Sequence, residues 1–163
     1  MKIAIVYASQ GGNTERAAEC IQDGVLAEFP FAEVKAMDVG ENETDLDFLS
    51  KCDAVIFGSP VYFTSMSWML KKWFDQSFRI DLSDKLGAAF VTAQSAAGGV
   101  DTAIMDIVRH MLAKGMLVCS GADKTQRFQI GAVGLASQMD QSEKMFEAFG
   151  ACVARKALDR NHH

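Results

Sequence analysis

The sequence predicts an α/β fold in which a five-stranded parallel sheet is doubly wound between helices. Apolar runs alternate with amphipathic helical segments along the chain of 163 residues, which is typical of a parallel sheet with helical crossovers. The run over residues 54–58 is continuously apolar, as expected for a central strand buried on both faces. A polar, glycine-rich turn separates the first apolar run from the first helical segment. A chain of this length suits one domain with a sizeable core, which we place at residues 1–160.

The first half of the chain contains three predicted strands and two helices. The first strand, residues 2–8, leads into a helix over 13–29. Apolar residues four positions apart give this helix one apolar face, and Pro30 helps to end it. The second strand, residues 32–39, alternates apolar and charged residues, which predicts a half-exposed edge strand. A short helix over 45–49 then precedes the central strand.

The second half of the chain contains two further strands and three helices. They are predicted as a helix over 66–78, a strand over 88–92, a helix over 101–114, a strand over 116–119 and a helix over 141–158. Gly115 follows the middle helix at a position where glycine ends helices. The glycine-spaced segment 120–139 resists assignment. The expected core residues are Met66, Leu70, Trp73 and Phe74 in the first of these helices and Met145, Phe149, Cys152 and Val153 in the last.

The composition is that of an ordinary globular protein. Hydrophobic residues make up 49% of the chain and charged residues 23%. A net charge of −5 argues against nucleic acid as a partner, and no apolar run is long enough to span a bilayer. The chain enters a strand within two residues of its start, so no signal peptide is expected.

The cysteine pattern indicates free thiols in a reducing compartment. The four cysteines are far apart and none forms a C-x-x-C pair, so metal or cluster ligation is not expected. We expect buried free thiols and a cytoplasmic location. The end of the chain, residues 161–163, has the look of a purification-tag remnant. The cysteines are Cys20, Cys52, Cys119 and Cys152.

The turn over residues 9–14 predicts a phosphate site. A strand, a glycine-rich turn and a helix together present backbone N–H groups and the positive end of the helix dipole to an anion. The turn holds no Lys or Arg, so the phosphate would be held by neutral donors. An ordinary strand-to-helix turn is the alternative. The candidate residues are Ser9, Gln10, Gly11, Gly12, Asn13 and Thr14.

Two further loops leave the carboxyl ends of inferred central strands, over residues 59–65 and 93–99. Ligands of open parallel sheets bind at this edge, at the point where the strand order reverses. Tyr62 and Phe63 are candidate stacking surfaces for a flat ring, although Phe63 could instead tuck under its own loop. The other candidates for binding a cofactor are Pro60, Val61, Thr92, Ala93, Ser95, Ala96, Gly98 and Gly99, of which the two glycines could equally form a flexible turn.

Several other classes of α/β protein lack their required residues here. A receiver domain needs acidic residues after the first and third strands, where this chain has small residues. The P-loop G-x-x-x-x-G-K-[ST] and the dinucleotide-binding G-x-G-x-x-G are both absent. The first loop has no nucleophilic Cys for a low-molecular-weight phosphatase. His110 is the one histidine outside the tag remnant, and its place within a helix does not suit a Ser-His hydrolase.

At this point the residues resemble the flavodoxin-like family. The S-x-x-G-N-T pattern over residues 9–14 is similar to the loop with which that family holds the phosphate of FMN. The resemblance covers almost the whole chain. It implies the strand order 2-1-3-4-5 and FMN as the cofactor.

Within the family, the chain is more similar to the NAD(P)H:quinone oxidoreductase type, also called the tryptophan-repressor-binding-protein type, than to the carrier flavodoxins. G-S-P-V-Y-F-T-S-M over residues 58–66 resembles that type's G-T-P-T-R-F-G-N-M. The stretches at 74–76, 98–101 and 112–116 also match its pattern. Carriers are typically strongly acidic around the flavin, whereas the loop over 93–99 carries no charge.

The chain also departs from the quinone-reductase pattern. Tyr62 stands where that type has Arg, and Lys114 stands where it has a His near the flavin. Lys114 is thus a candidate contact to flavin or acceptor, or an ordinary solvated cation at a helix end. This chain lacks the long insert that the quinone-reductase type has after its second strand. Residues 120–139 are only loosely similar to the last loop of that type.

Three functions remain open at this point. The first is an FMN-dependent oxidoreductase that passes two electrons from NAD(P)H to a quinone or similar acceptor, the chemistry being that of the cofactor. The second is a one-electron carrier of the flavodoxin type. The third is an FMN-binding interaction module in which Met66, Trp68 and Met69, expected to be exposed, contact a partner. The family implies a homodimer or homotetramer.

Overall fold

The computed structural model describes residues 1–40 and 44–161. Its elements alternate as the sequence predicts, with helices on both faces of a central sheet. The strands are β1 (Lys2–Tyr7), β2 (Glu33–Asp38), β3 (Ala54–Tyr62), β4 (Ser65–Met66), β5 (Leu86–Ala93), β6 (Leu117–Val118) and β7 (Ala132–Leu135). The helices are α1 (Asn13–Glu28), α2 (Leu46–Ser50), α3 (Trp68–Gln76), α4 (Val100–Ala113) and α5 (Met139–Asn161).

The main sheet is parallel and has the order β2-β1-β3-β5-β6. The predicted order 2-1-3-4-5 is therefore confirmed, since β5 and β6 are the fourth and fifth predicted strands. The order reverses between β1 and β3, where the chain crosses from one side of the sheet to the other. This switch point is where ligands of open α/β sheets bind.

Two strands were missing from the prediction. β7 lies in the segment 120–139 and pairs in parallel with the end of β5, while β6 pairs with its beginning. The last position of the sheet is thus shared by two short strands. β6 covers only two of the four residues expected for the fifth strand. β4 pairs antiparallel with the end of β3 and forms a hairpin with it.

The core has two layers, one on each face of the sheet. α1 and α5 cover one face, where Phe90, Phe146 and Phe149 are fully buried. α2, α3 and α4 cover the other face, where Phe57 and Leu70 are fully buried. β3 and β5 contribute side chains to both layers, which explains their continuously apolar sequences.

Most expected core residues are buried, with corrections in two helices. In α5, Phe146 is fully buried whereas Met145 is only partly buried. α3 begins at Trp68, so Met66 lies in β4 rather than in the helix, although it is buried as expected for the core, and Trp73 is only partly buried. Of the three residues expected to face a partner, Trp68 is exposed, whereas Met66 and Met69 are buried. The Ser67 side chain caps α3 by accepting a hydrogen bond from the Met69 N–H at 3.2 Å.

The four cysteines are free thiols, three of them buried, and the last helix runs to the end of the described residues. Residues 162 and 163 of the expected tag remnant lie outside the described residues, and Asn161 is the last residue of α5. Cys20, Cys52 and Cys152 are buried free thiols, and Cys119 is half-buried. Burial raises the pKa of the Cys52 thiol to about 12. Within the described ranges, no helix combines the length and the apolar character needed to cross a membrane.

Candidate functional site

The loops that follow β1, β3 and β5 meet at the switch point and form a cleft of about 100 Å³. The sheet register brings the strand ends together, with Tyr7 beside Gly58 and Pro60 beside Thr92. Of the predicted site residues, the cleft is lined by Gln10, Gly11, Asn13, Thr14, Pro60, Val61, Tyr62, Thr92 and Ala93. Two further residues line the cleft that were not among the predicted site residues, Gln94 and Ala136.

The remaining predicted residues lie beside the cleft rather than in its lining. Ser9 and Gly12 belong to the same turn as the lining residues of the first loop. Phe63 projects from the hairpin and is fully exposed, so it does not tuck under its own loop. The third loop contributes its start to the lining and not its later residues, Ser95, Ala96, Gly98 and Gly99.

The first loop has the geometry of an anion cradle. Gly12 precedes α1 with a φ of +82°, a left-handed conformation that glycine adopts without strain. Gly12 is the N-cap residue of α1 and has no side chain with which to cap the helix. The first N–H groups of any helix lack intrahelical acceptors, so they are available to other acceptors. One of them, the Glu15 N–H, donates to Ser9 Oγ at a nitrogen–oxygen distance of 3.4 Å. Apart from the neighbouring residues of the chain, no described atom lies within 4 Å of where a Cβ would stand on Gly11 or Gly12, so this side of the loop is open.

A buried hydrogen bond joins the first loop to the end of β5. The hydroxyl groups of Thr14 and Thr92 lie 2.8 Å apart, and both residues are almost fully buried. The hydroxyl of Thr14, one of the candidate phosphate-site residues, therefore has a partner within the protein. The bond fixes the first turn of α1 against the sheet, which holds the cradle in place.

The second loop is a tight hairpin with an unusual backbone. Tyr62 pairs with Ser65 and Val61 with Met66, which leaves two residues in the turn. Both have positive φ, 46° at Phe63 and 68° at Thr64. Two-residue hairpin turns of this kind favour Asn and Gly, and a β-branched residue is strained there by about 1–3 kcal/mol. The hairpin was not predicted because Phe-Thr is not a typical sequence for such a turn.

The hairpin touches both of the other loops. The Tyr62 hydroxyl donates a hydrogen bond to Gln10 Oε1 in the first loop, with an oxygen–oxygen distance of 2.9 Å. On the other side, Gly99 packs against the turn. A Cβ on Gly99 would stand 2.5 Å from the Cα of Thr64, and Gly99 has a φ of +90°. Only glycine fits both demands.

The cleft lining carries no charge. In residues 1–40 and 44–161, every lining side chain is neutral. Lys114, a candidate contact, ends α4 at the opposite end from Gly99, about 21 Å away along a 14-residue helix. Its ammonium donates to the backbone carbonyls of Ser77 and Ile80, and burial lowers its pKa. Within one chain, Lys114 is therefore a structural residue away from the cleft.

The residues of the cleft fit FMN. Open backbone donors at a helix N-terminus suit its phosphate, and the Tyr62 ring at the wall suits a flat ring system. Because the lining residues are neutral, no charged side chain would have to lose its hydration when the ligand binds. The three loops leave the carboxyl ends of neighbouring strands, which is also where doubly wound sheets of known nucleotide-binding proteins hold their ligands.

Comparisons with known proteins agree with this description. The family model described as "Flavodoxin-like fold" matches residues 1–151, and the chain belongs to this family of flavoproteins. A protein named flavodoxin from Clostridium saccharobutylicum is 40% identical over 158 residues, 96% of this chain and 97% of that protein.

Other relatives carry a different name. An NAD(P)H dehydrogenase (quinone) from Gluconacetobacter diazotrophicus is 28% identical over 138 residues, which cover 72% of this chain and 69% of that protein. The solved structure of a flavodoxin, WrbA-like protein from Agrobacterium tumefaciens superimposes with a TM-score of 0.81 at 26% identity, covering 99% of each chain. The family recognised from the sequence is thus confirmed, and the relatives carry the names of both branches.

Proposed function

We propose that this protein binds FMN at the cleft between its three loops and transfers electrons with it. The observation that carries the proposal is the open, uncharged cradle at the start of α1, joined to the wall formed by Tyr62. When bound, the flavin supplies the redox chemistry. The loop amides of residues 10–14 hold the phosphate, and Pro60, Val61 and Tyr62 form one wall for the ring.

FMN binding is tested first, with flavin-free protein and a fluorescence titration. We expect 1:1 binding and quenched flavin fluorescence. Riboflavin, which lacks the phosphate, is the matched ligand control and should bind at least tenfold more weakly because the cradle then has no anion. Equal affinity for FMN and riboflavin, or no binding by folded protein, would remove the role assigned to the first loop.

Of the two kinds of electron transfer, the lack of a cationic side chain in the described cleft lining favours a one-electron carrier, contrary to the expectation from the uncharged loop over 93–99. NAD(P)H carries at least two phosphate charges, and among the described residues no Lys or Arg lines the cleft to receive them. A carrier needs no second nucleotide. The flavodoxin relative, similar over nearly the full length of both chains, supports the same choice.

An NAD(P)H:quinone oxidoreductase is the second candidate, and one observation favours it. A quinone is flat and neutral, and the rim of the cleft presents neutral groups and the fully exposed ring of Phe63. Relatives named NAD(P)H dehydrogenase (quinone) support it at lower identity.

Two measurements separate these candidates. A coulometric titration of FMN-loaded protein should show two resolved one-electron steps for a carrier and a single two-electron step for the oxidoreductase. Steady-state assays with NADH or NADPH and a benzoquinone, with free FMN as the blank, should show no turnover above the blank for a carrier. Turnover well above the blank would favour the second candidate.

A further inference from the structure

Asp106 is a buried carboxylate that lines no part of the cleft and yet contacts the hairpin that does. It lies in the middle of α4 and is only 8% exposed. One carboxylate oxygen accepts a hydrogen bond from the hydroxyl of Ser65 in β4, and the other forms an ion pair with Arg109 one turn further along α4. A buried carboxylate is costly unless its oxygens are paired in this way.

The contact with Ser65 leads directly to the wall of the cleft. Ser65 is the residue that pairs with Tyr62 across the hairpin, and Tyr62 lines the cleft. A constraint on Ser65 is therefore transmitted through one backbone pair to Tyr62. At the base of the hairpin, the Ser67 N–H donates to Ser59 Oγ at 2.7 Å, which closes the other end.

The hairpin requires such a constraint because its turn is strained. Phe63 and Thr64 both have positive φ, which is unfavourable for a β-branched residue and for a bulky aromatic one. A strained turn persists only where its surroundings hold it. Two residues do so: Gly99, which directly precedes α4, packs against the turn itself, and Asp106 of α4 binds the strand that follows the turn.

We propose that Asp106 is a positioning residue that holds the hairpin closed on α4 and so fixes Tyr62 at the wall of the cofactor cleft. The proposal rests on the proposed function, since it concerns the same cleft. It assigns to Asp106 an effect on the bound flavin although Asp106 does not touch the cleft. A purely structural role would confine the effect of Asp106 to the stability of α4.

The first test measures hydrogen exchange in flavin-free protein, which does not depend on cofactor binding. Asp106→Ala should speed amide exchange in residues 61–67 by about tenfold, the consequence of losing one charge-assisted hydrogen bond, while exchange in β1 and β5 stays as in the wild type. Asp101→Ala, the same change at an exposed position of the same helix, is the control and should leave exchange in this segment unchanged.

The second test is a double-mutant cycle on FMN affinity. Ser65→Ala and Asp106→Ala should each raise the Kd for FMN by about tenfold. The double variant should bind FMN no more weakly than either single variant, because both substitutions remove the same hydrogen bond. Thr64→Gly, which relieves strain in the turn, should restore part of the affinity in the Asp106→Ala background. Should Asp106→Ala fail to fold, Ser65→Ala on the hairpin itself carries the same two measurements.

The outcomes are distinguishable. Faster exchange throughout the protein, or a mobile hairpin with unchanged FMN affinity and an unchanged absorption band of the bound flavin, would overturn the positioning role. If the two substitutions had additive effects on FMN affinity, Ser65 and Asp106 would not act through one shared hydrogen bond, and the proposal would be overturned. If wild-type protein does not bind FMN, the proposed function fails together with the cofactor part of this proposal, while the exchange experiment still decides whether Asp106 holds the hairpin.

Discussion

Tyr62 donates its hydroxyl hydrogen to Gln10 Oε1 across the cleft, at an oxygen–oxygen distance of 2.9 Å. The bond connects the hairpin after β3 with the glycine-rich loop after β1, which are 52 residues apart in sequence. The two loops that would hold the two ends of FMN are therefore in contact through side chains. The ring and the hydroxyl of Tyr62 have separable roles, and substitution can test each.

Removing the ring of Tyr62 should weaken FMN binding, whereas removing its hydroxyl should not. Tyr62→Ala loses a stacking contact worth about 1 kcal/mol beyond area burial, so the Kd for FMN should rise about fivefold or more. Tyr62→Phe keeps the ring and should bind FMN within about twofold of wild type. Fluorescence titration measures both constants.

Phe63→Ala is the matched control for Tyr62→Ala, since the neighbouring ring is fully exposed and does not line the cleft. We expect it to change the Kd for FMN less than Tyr62→Ala does. An equal loss in the two variants would mean that both rings contact the cofactor, as the sequence analysis expected.

The buried bond between Thr14 and Thr92 should contribute to the stability of the whole domain. Thr14→Val leaves the Thr92 hydroxyl buried without its partner, at a cost of about 1–3 kcal/mol in the free energy of unfolding. The double variant Thr14→Val/Thr92→Val removes both polar groups with little change in shape and should recover most of that loss. Urea unfolding of the three variants measures this, and equally large losses in the single and double variants would contradict it.

Gly99 should tolerate no side chain, for both a backbone and a steric reason. Its φ of +90° strains any other residue, and a Cβ would collide with Thr64. We expect Gly99→Ala to lower the stability by about 1–3 kcal/mol and to weaken FMN binding by displacing the hairpin. Gly12→Ala has a comparable φ but open space around its Cβ, so its loss of stability should be the smaller one. A larger loss at Gly12 would show that the contact with Thr64 is unimportant.

The sequence predicted the sheet and the first loop well because their signals are local. The apolar runs of β1 and β3 and the turn after β1 are read from adjacent residues, and the strand order follows from the family resemblance. β7 was missed because its four residues, with a glycine among them, gain their strand character from pairing with β5 some 40 residues earlier. The hairpin was missed because the turn residues Phe63 and Thr64 contradict the usual turn chemistry.

The support of the site was harder to predict than its lining. Asp106 stands in an amphipathic helix at a position that could equally face solvent, and nothing in the sequence pairs it with Ser65. Lys114 was a candidate because of its place in a family pattern, but the length of α4 separates it from the cleft. A contact that depends on how two elements pack together cannot be predicted from the spacing of residues within either element.

Asp123 should make the stability of the protein depend on pH in the acid range. It accepts hydrogen bonds from the N–H and hydroxyl of Thr125, and its other oxygen accepts from Arg155 of α5 at 2.7 Å. The hydrogen bonds from Thr125, together with the guanidinium of Arg155, hold the pKa of this carboxyl far below its usual range. A folded-state pKa below the unfolded value stabilises the protein at every pH above the unfolded pKa, about 4.

Asp123→Asn should therefore lower the free energy of unfolding by about 1–2 kcal/mol at pH 7, or the Tm by roughly 2–6 °C. The gap to wild type should shrink as the pH falls below about 4, because the unfolded wild-type chain then binds a proton at Asp123 that the folded protein does not, which lowers the wild-type free energy of unfolding. Asp159→Asn, on the exposed surface of α5, is the matched control and should change stability little at either pH. Thermal unfolding of the three proteins at pH 7 and pH 3 measures the effect, and a gap that stays constant down to pH 3 would show that the charge of Asp123 does not stabilise the loop before β7.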